Sequence, residues 1–341
     1  MNKVISLLAA LTLILLSDAQ EAPKKVLFIG NSYTYVNDLP SMIKQMGEST
    51  GDLMESEQVT PGSTSFRQHC TSTGAMDKIH QGGWDIVVLQ GQSQEPSFPW
   101  SQFAEDTYPY ACQLADAVHE TDHDAEVMFY MTWGRKNGDS YNAQFFDSLA
   151  TYEGMDDLLC ARYTYMAQQN HASVSPVGKV WRKLRSDYPD IELYQSDESH
   201  PSLVGSYAAA CTFYTMFFHK NPLLITVDFS LDPATAATVR ETVKRVVFDS
   251  ISQYSVSHTE SITSPTNGRG RCLEVFPSPT RTHLTVTVNA PTEMTITDSR
   301  GSTVRRIQAC GKTTISVEDL PAGLYFIKTE GKAAAKFVKL P

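Results

Sequence analysis

Short apolar runs and longer amphipathic stretches alternate along most of this chain. The apolar runs at 26–29, 86–90 and 127–132 and the more polar segments at 55–59 and 191–194 read as strands. Between them, stretches such as 103–119 and 141–169 carry apolar residues at helical spacing. This strand–helix alternation runs from residue 26 to about 254 and predicts an α/β domain, a mostly parallel sheet with helices on both faces. Sheets of that class bind ligands beyond the carboxyl ends of their strands, where Ser32, Gly62, Gln92 and Asp197 all fall.

The pattern changes at both ends. Lys3, the apolar run 4–16 and Ser17-Asp18-Ala19 have the layout of a secretory signal peptide over 1–19. That run is too short for a comfortable span, and no later segment approaches ~20 apolar residues, so the mature chain is expected to have no transmembrane segment. The α/β region is assigned to 24–254. Residues 255–271 are rich in Ser, Thr, Pro and Gly, lack apolar periodicity and read as a linker. From 272 to 341, alternating segments at 284–288, 294–297, 313–317 and 324–328 predict a small β-sandwich.

Composition narrows the function. The chain has 341 residues, with 28 basic against 38 acidic, a formal charge of −10. Residues 272–341 hold nine basic and six acidic side chains, +3, which leaves −13 for the remainder. Nucleic acid is therefore not an expected partner, since phosphate binding calls for a basic face. The six cysteines include no Cys-x-x-Cys pair and the nine histidines are scattered, so no metal site and no cofactor are expected. Cys272 and Cys310 could bridge within the last domain. The other four could pair or stay buried, and spacing does not decide it.

The candidate chemistry rests on two distant elements. Val26-Leu27-Phe28-Ile29-Gly30-Asn31-Ser32 is an apolar strand that breaks at glycine and delivers a hydroxyl to the turn before a helix. Asp197-Glu198-Ser199-His200 offers a carboxylate and an imidazole three residues apart. A serine becomes a nucleophile when a neighbouring base takes its proton, and the base works best when a carboxylate orients it. Each element also has a plainer reading: Ser32 as a helix N-cap, Asp197 or Ser199 as the cap of the next helix, His200 as a solvated loop residue. Together, in this order, they resemble the first and last blocks of the SGNH (GDSL-type) hydrolases.

That resemblance implies a flavodoxin-like three-layer α/β/α sandwich and a Ser32–His200–Asp197 triad acting on carboxylic esters. Gly62, in Thr60-Pro61-Gly62-Ser63-Thr64, matches the second-block glycine whose N–H faces the substrate oxygen. The third block normally supplies an asparagine amide, but here it reads Leu89-Gln90-Gly91-Gln92-Ser93-Gln94. A glutamine amide has the same donor chemistry, so the implied oxyanion hole comprises the N–H groups of Ser32 and Gly62 with the side chain of Gln92 or Gln94. The departure marks a divergent branch. Trp133 and Arg135, after the fourth strand, are candidate pocket residues, with a buried indole and a surface arginine as the alternative.

The tail has its own resemblance. Val275-Phe276-Pro277-Ser278-Pro279, the strand at 284–288, Leu320-Pro321-Ala322-Gly323-Leu324-Tyr325 and the closing Lys336-Phe337-Val338-Lys339 resemble the C-terminal sorting domain of type IX secretion cargo. This implies export through the periplasm to the medium or the cell surface, with the type IX secretion machinery as partner. A glycan-binding accessory sandwich is the alternative. The resulting expectation is a secreted serine esterase whose substrate is a small-molecule or glycan ester. A non-catalytic surface binding protein on a degenerate hydrolase scaffold is the rival, and peptidase, thioesterase and deacetylase chemistries stay open.

Overall fold

A computed structural model describes residues 22–256, 274–276, 278, 280–298, 300–329 and 335–340. The expected leader, most of the linker and Cys272 lie outside the described residues. The first unit is built on β1 (Lys24–Ile29), β2 (Met54–Val59), β3 (Ile86–Leu89), β4 (Glu126–Tyr130) and β5 (Ser173–Ser175). All pairings are parallel, in the order β2-β1-β3-β4-β5. Val26 to Ile29 and Val87 to Leu89 are wholly buried, which explains why these strands are continuous apolar runs rather than alternating ones.

The helices are α1 (Ser32–Tyr35), α2 (Leu39–Glu48), α3 (Phe66–Thr71), α4 (Ala75–Gln81), α5 (Trp100–Gln102), α6 (Tyr108–Thr121), α7 (Tyr152–Gln169), α8 (Val177–Asp187), α9 (Leu203–Phe218) and α10 (Pro233–Val246). α9 packs with α2, α8 and α10, whereas α6 packs with α3, α4 and α7. The sheet thus carries flanking helices in a three-layer arrangement. Residues Gly205 to Phe217 of α9 are all buried, so this helix is apolar around its whole circumference, and Thr212 and Thr215 return their hydroxyls to carbonyls one turn back, both at 2.8 Å. Among the described residues no helix is long and apolar enough to cross a membrane.

Three sequence expectations change. Residues 191–194 are not a sheet strand: they make only an isolated Tyr194–Pro201 bridge, and Glu192 Oε1 accepts from the Tyr194 N–H at 3.0 Å. The place beside β4 belongs to β5, whose buried Ser-Val-Ser core carries no apolar signal; Ser173 Oγ accepts instead from the Val256 N–H at 3.0 Å. The helix expected from residue 141 starts at Tyr152, where Thr151 caps it through the Gly154 N–H at 3.1 Å. The preceding residues form two short 3-10 turns, Asn142–Gln144 and Asp147–Leu149. The helix expected at 103–119 is present, with a π turn over Phe103–Thr107. Pro109 has no N–H for an α-type bond, which accounts for that local widening.

The C-terminal unit has antiparallel strands β6 (Glu274–Phe276), β7 (His283–Asp298), β8 (Thr303–Ser316), β9 (Gly323–Thr329) and β10 (Ala335–Lys339). The segments expected as separate strands at 284–288 and 294–297 belong to one long β7, with a register shift between them. Leu284, Val286, Met294, Ile296, Ile315, Ile327 and Phe337 close a core of its own. Cys70, Cys112, Cys160 and Cys211 form no disulfide, and burial pushes the Cys70 and Cys160 thiols up to about 12.

Gly205 shows how tightly α9 seats against α8 and the connection between them. A Cβ there would lie 2.3 Å from the Leu193 carbonyl and 2.6 Å from the Trp181 ring. Alanine in an open helix interior would stabilise by about 1 kcal/mol. Here overpacking costs about 1–3 kcal/mol and wins. Gly205→Ala is therefore expected to lower the urea midpoint at constant m-value, and a raised midpoint would contradict this packing.

Candidate active site

The turn after β1 is organised from below. Gln90, wholly buried, places its Oε1 to accept from the Asn31 N–H at 2.9 Å and the Thr34 hydroxyl at 3.0 Å. A Cβ on Gly30 would sit 2.7 Å from that oxygen and 2.5 Å from Thr34 Oγ1, so only glycine lets the turn rest on Gln90. Asn31 is the N-cap of α1, its Oδ1 accepting from the Tyr33 N–H at 3.2 Å. Ser32 is consequently the first helical residue rather than the cap. Asn31 Nδ2 donates to the carbonyls of Thr64 (3.0 Å) and Gly91 (3.1 Å), joining the loops after β2 and β3 to the turn after β1. The capping box between Ser65 and Gln68 holds the loop after β2 at the start of α3.

The histidine-bearing loop is closed by local bonds. The Gln195 N–H donates to the His200 carbonyl at 2.8 Å and the Ser202 N–H to the Leu193 carbonyl at 2.9 Å. Glu198 adopts a left-handed conformation at φ 59°. Its carbonyl accepts from the Lys136 N–H at 2.9 Å, and the Ser199 carbonyl accepts from Trp133 Nε1 at 3.1 Å. From the other side, Asn37 Nδ2 donates to the carbonyls of Pro201 and Ser202 at 3.2 Å and to Ser206 Oγ at 2.9 Å. The cap of α9 is Ser202, so neither Asp197 nor Ser199 is spent on that duty.

These two segments meet. His200 Nε2 lies 2.8 Å from Ser32 Oγ, and His200 Nδ1 is hydrogen-bonded to Asp197 Oδ2. Asp197 Oδ1 accepts from the backbone N–H groups of Ser199 (3.1 Å) and His200 (2.9 Å). Partial burial acts to raise the Asp197 pKa, but the hydrogen bonds from the His200 ring and these amides outweigh it and hold the carboxyl below its ordinary range. An ionised Asp197 places the proton on Nδ1, which leaves Nε2 to accept from the Ser32 hydroxyl. The arrangement can move a proton from serine to imidazole.

The other anticipated residues are placed less directly. Gly62 is exposed, on the loop that Asn31 grips at Thr64. Gln92 folds back on its own loop: Oε1 accepts from the N–H groups of Gln94 (2.7 Å) and Glu95 (3.0 Å), while Nε2 donates to Gln94 Oε1 at 3.2 Å. Gln94 Nε2 donates to the buried Asp139 carboxylate, which also accepts from Asn142 Nδ2 at 2.6 Å and has Arg135 Nη1 at 3.7 Å. Burial would raise the Asp139 pKa, but these partners bring it below its ordinary range. Trp133 corrects the pocket expectation. It is 0% exposed, stacked at 3.8 Å on Trp181 and 4.6 Å on Tyr33, and underlies the site instead of lining it. Arg135 is partly exposed and braces Asp139. Asn31 and Asn37 had no pattern to reveal them; Asn31 was visible only as the neighbour of Ser32.

Known proteins bear on both units. Residues 274–340 match the family model for the secretion system C-terminal sorting domain. Such a tail fits a secreted or cell-surface protein. A crystal structure of a DUF4886 family protein from Bacteroides uniformis is similar at TM-score 0.58 and 17% identity, covering 66% of this chain and 94% of that one. That likeness shows the α/β fold. A protein provisionally assigned as an SGNH hydrolase from Slackia heliotrinireducens is similar at TM-score 0.47 and 23% identity, covering 57% of this chain and 98% of that one. An acetyl xylan esterase, AlAXEase, is similar at TM-score 0.45 and 13% identity, covering 56% and 98%. No curated protein matches the chain.

His69 ties site geometry to pH. Its Nε2 bonds the Gly30 carbonyl at 2.8 Å, so that nitrogen carries the proton, and Nδ1 faces the Thr73 hydroxyl at 3.0 Å. Burial pushes its pKa down to about 4 from 6.5. As pH falls through about 6.5 the unfolded chain takes up this proton first, so stability present above that pH declines until about 4. The contribution is on the order of 3 kcal/mol. His69→Gln is expected to flatten the fall of the urea midpoint across that window. An equally steep fall in the variant would contradict the assignment.

Proposed function

We propose that this protein is an exported carboxylic-ester hydrolase with Ser32 as nucleophile, His200 as general base and acid, and Asp197 as the orienting carboxylate. The observation that carries the reading is the 2.8 Å contact between Ser32 Oγ and His200 Nε2, with Asp197 on the opposite ring nitrogen. As the Ser32 oxygen attacks the ester carbonyl, His200 takes the hydroxyl proton and then delivers it to the departing alcohol. Water deprotonated by His200 releases the acid from the acyl-enzyme. The Ser32 N–H stands at the first helical position, where no carbonyl of its own helix reaches it, and supports an oxyanion hole completed by the Gly62 N–H. Gln92 joins them once its carboxamide rotates off Gln94.

Two exposed rings bear on the substrate. Tyr141 (71% exposed) and Phe145 (79%) meet edge to face at 6.4 Å on the segment between β4 and α7. That segment is tied to the third-block loop through Asp139 and Gln94, and to the histidine loop through the Lys136 N–H and the Glu198 carbonyl. Exposed aromatic surface on a segment bonded to the histidine loop suits the ring of an acylated sugar, and an ester on a glycan is the substrate this reading favours. The tail supports delivery to the outside of the cell by type IX secretion. The folded-back Gln92 favours the rival reading of a binding protein without turnover.

Hydrolysis of p-nitrophenyl acetate decides between them. Ser32→Ala is expected to lose at least about a thousandfold in kcat while keeping its fold. Equal rates for wild type and variant would end the esterase reading. Tyr141→Ala/Phe145→Ala is expected to raise KM for an acetylated oligosaccharide about twofold to tenfold, in line with aromatic contacts of about 0.5–1.5 kcal/mol. Turnover of p-nitrophenyl acetate should change by less than about twofold, and a parallel loss on both substrates would contradict the platform.

A further inference from the structure

The nucleophile and the base are each followed or preceded by a residue that points the other way. Tyr33, next to Ser32 in α1, turns inward and is 2% exposed; Ser199, next to His200, is 9% exposed. Their hydroxyls meet at 2.7 Å beneath the 2.8 Å contact of Ser32 and His200. The same two dipeptides are thus joined twice, once in the interior and once at the surface. We propose that the Tyr33–Ser199 hydrogen bond is a positioning contact that sets the distance between Ser32 and His200. The inference rests on reading Ser32 and His200 as nucleophile and base, and assigns Tyr33 and Ser199 a role in that site.

Packing makes the inner contact the stiffer one. The Tyr33 ring stacks on Trp133 at 4.6 Å with 4° between planes, and Trp133 stacks on Trp181 at 3.8 Å. Trp133 Nε1 also donates to the Ser199 carbonyl at 3.1 Å, so one aromatic column fixes both partners of the inner bond. The Tyr33 ring further meets the edge of the His200 imidazole at 5.6 Å. The outer pair has less support, since the His200 and Asp197 side chains are 33% and 46% exposed. A buried Ser199 hydroxyl that loses Tyr33 carries a desolvation penalty, so the histidine loop would shift to re-solvate it, while a Tyr33 hydroxyl that loses Ser199 would turn to Ser93, its other partner, and release the loop. Reacting groups displaced by about 1 Å can lose about a hundredfold in rate.

The test is a double-mutant cycle with Tyr33→Phe, Ser199→Ala and the pair, each normalised to folded sites by fluorophosphonate titration and by thermal midpoint. Each single variant is expected to lose roughly tenfold to a hundredfold in kcat on p-nitrophenyl acetate, with KM changed by less than about twofold. The double variant should be no worse than the poorer single. Losses that multiply, or a kcat that does not change, would overturn the proposal. The 15N resonance of His200 Nε2 reports the Ser32 contact without turnover. It should move in both singles towards the value seen in Ser32→Ala, and an unmoved resonance would also overturn the proposal. A wild type that hydrolyses no ester would end the esterase reading alone.

Discussion

One buried carboxamide holds the site's loops together. Asn31 bridges the ends of three neighbouring strands, capping the helix after β1 while donating to the loops that follow β2 and β3. Every polar atom of this side chain has a partner, in a position 2% exposed. Replacing it would strand the Thr64 carbonyl and the Tyr33 amide, each costing about 1–3 kcal/mol when buried unpaired, and would leave the Gly91 carbonyl to Gln90 Nε2 alone. Gly30 makes the arrangement possible by letting the turn settle onto Gln90, and His69 secures the Gly30 carbonyl from the far side. Ser32 is thus delivered by a turn whose backbone is fixed from several directions, the kind of support that preorganises a side chain.

Asp197 and His200 are assembled on a different principle. Asp197 and His200 come from one loop whose own amides saturate one carboxylate oxygen, so their mutual geometry is largely local. What remains for the tertiary structure is to dock that loop against α1. Contacts do this from opposite sides: Asn37 from the segment after Ser32, and Trp133 with Lys136 from the segment after β4. The aromatic column from Tyr33 through Trp133 to Trp181 lies under the junction and carries no water-exposed surface of Trp133 or Trp181. A rigid base under a partly exposed histidine leaves the upper surface open to substrate.

Much of this was legible in the chain. Three of the five parallel strands, β1, β3 and β4, announced themselves as apolar runs because both of their faces are covered, whereas β2 is a polar edge strand exposed over residues 55–58. Ser32, Asp197 and His200 were legible because a strand breaking at glycine and a carboxylate three residues before an imidazole are local arrangements. β5 was not, because its two buried serines, of which Ser173 accepts from the Val256 N–H, carry no periodic apolar signal. Residues 191–194 misled for the opposite reason, with strand-like alternation whose sheet position was already occupied. In the C-terminal unit the alternation was read correctly, while the joining of two segments into one bent β7 was decided by cross-strand register.

The sequence by itself determined the layered α/β class, the sorting tail and the identity of the three groups that face one another, since each depends on residue type and short-range spacing. Only the tertiary structure decided that Ser32 and His200, 168 residues apart, come within hydrogen-bonding distance. It also buried Trp133, turned Gln92 onto its own loop and made Asn31 the bridge between three turns. Those outcomes follow from which polar atoms find partners once the strands are side by side, and no local pattern encodes that competition.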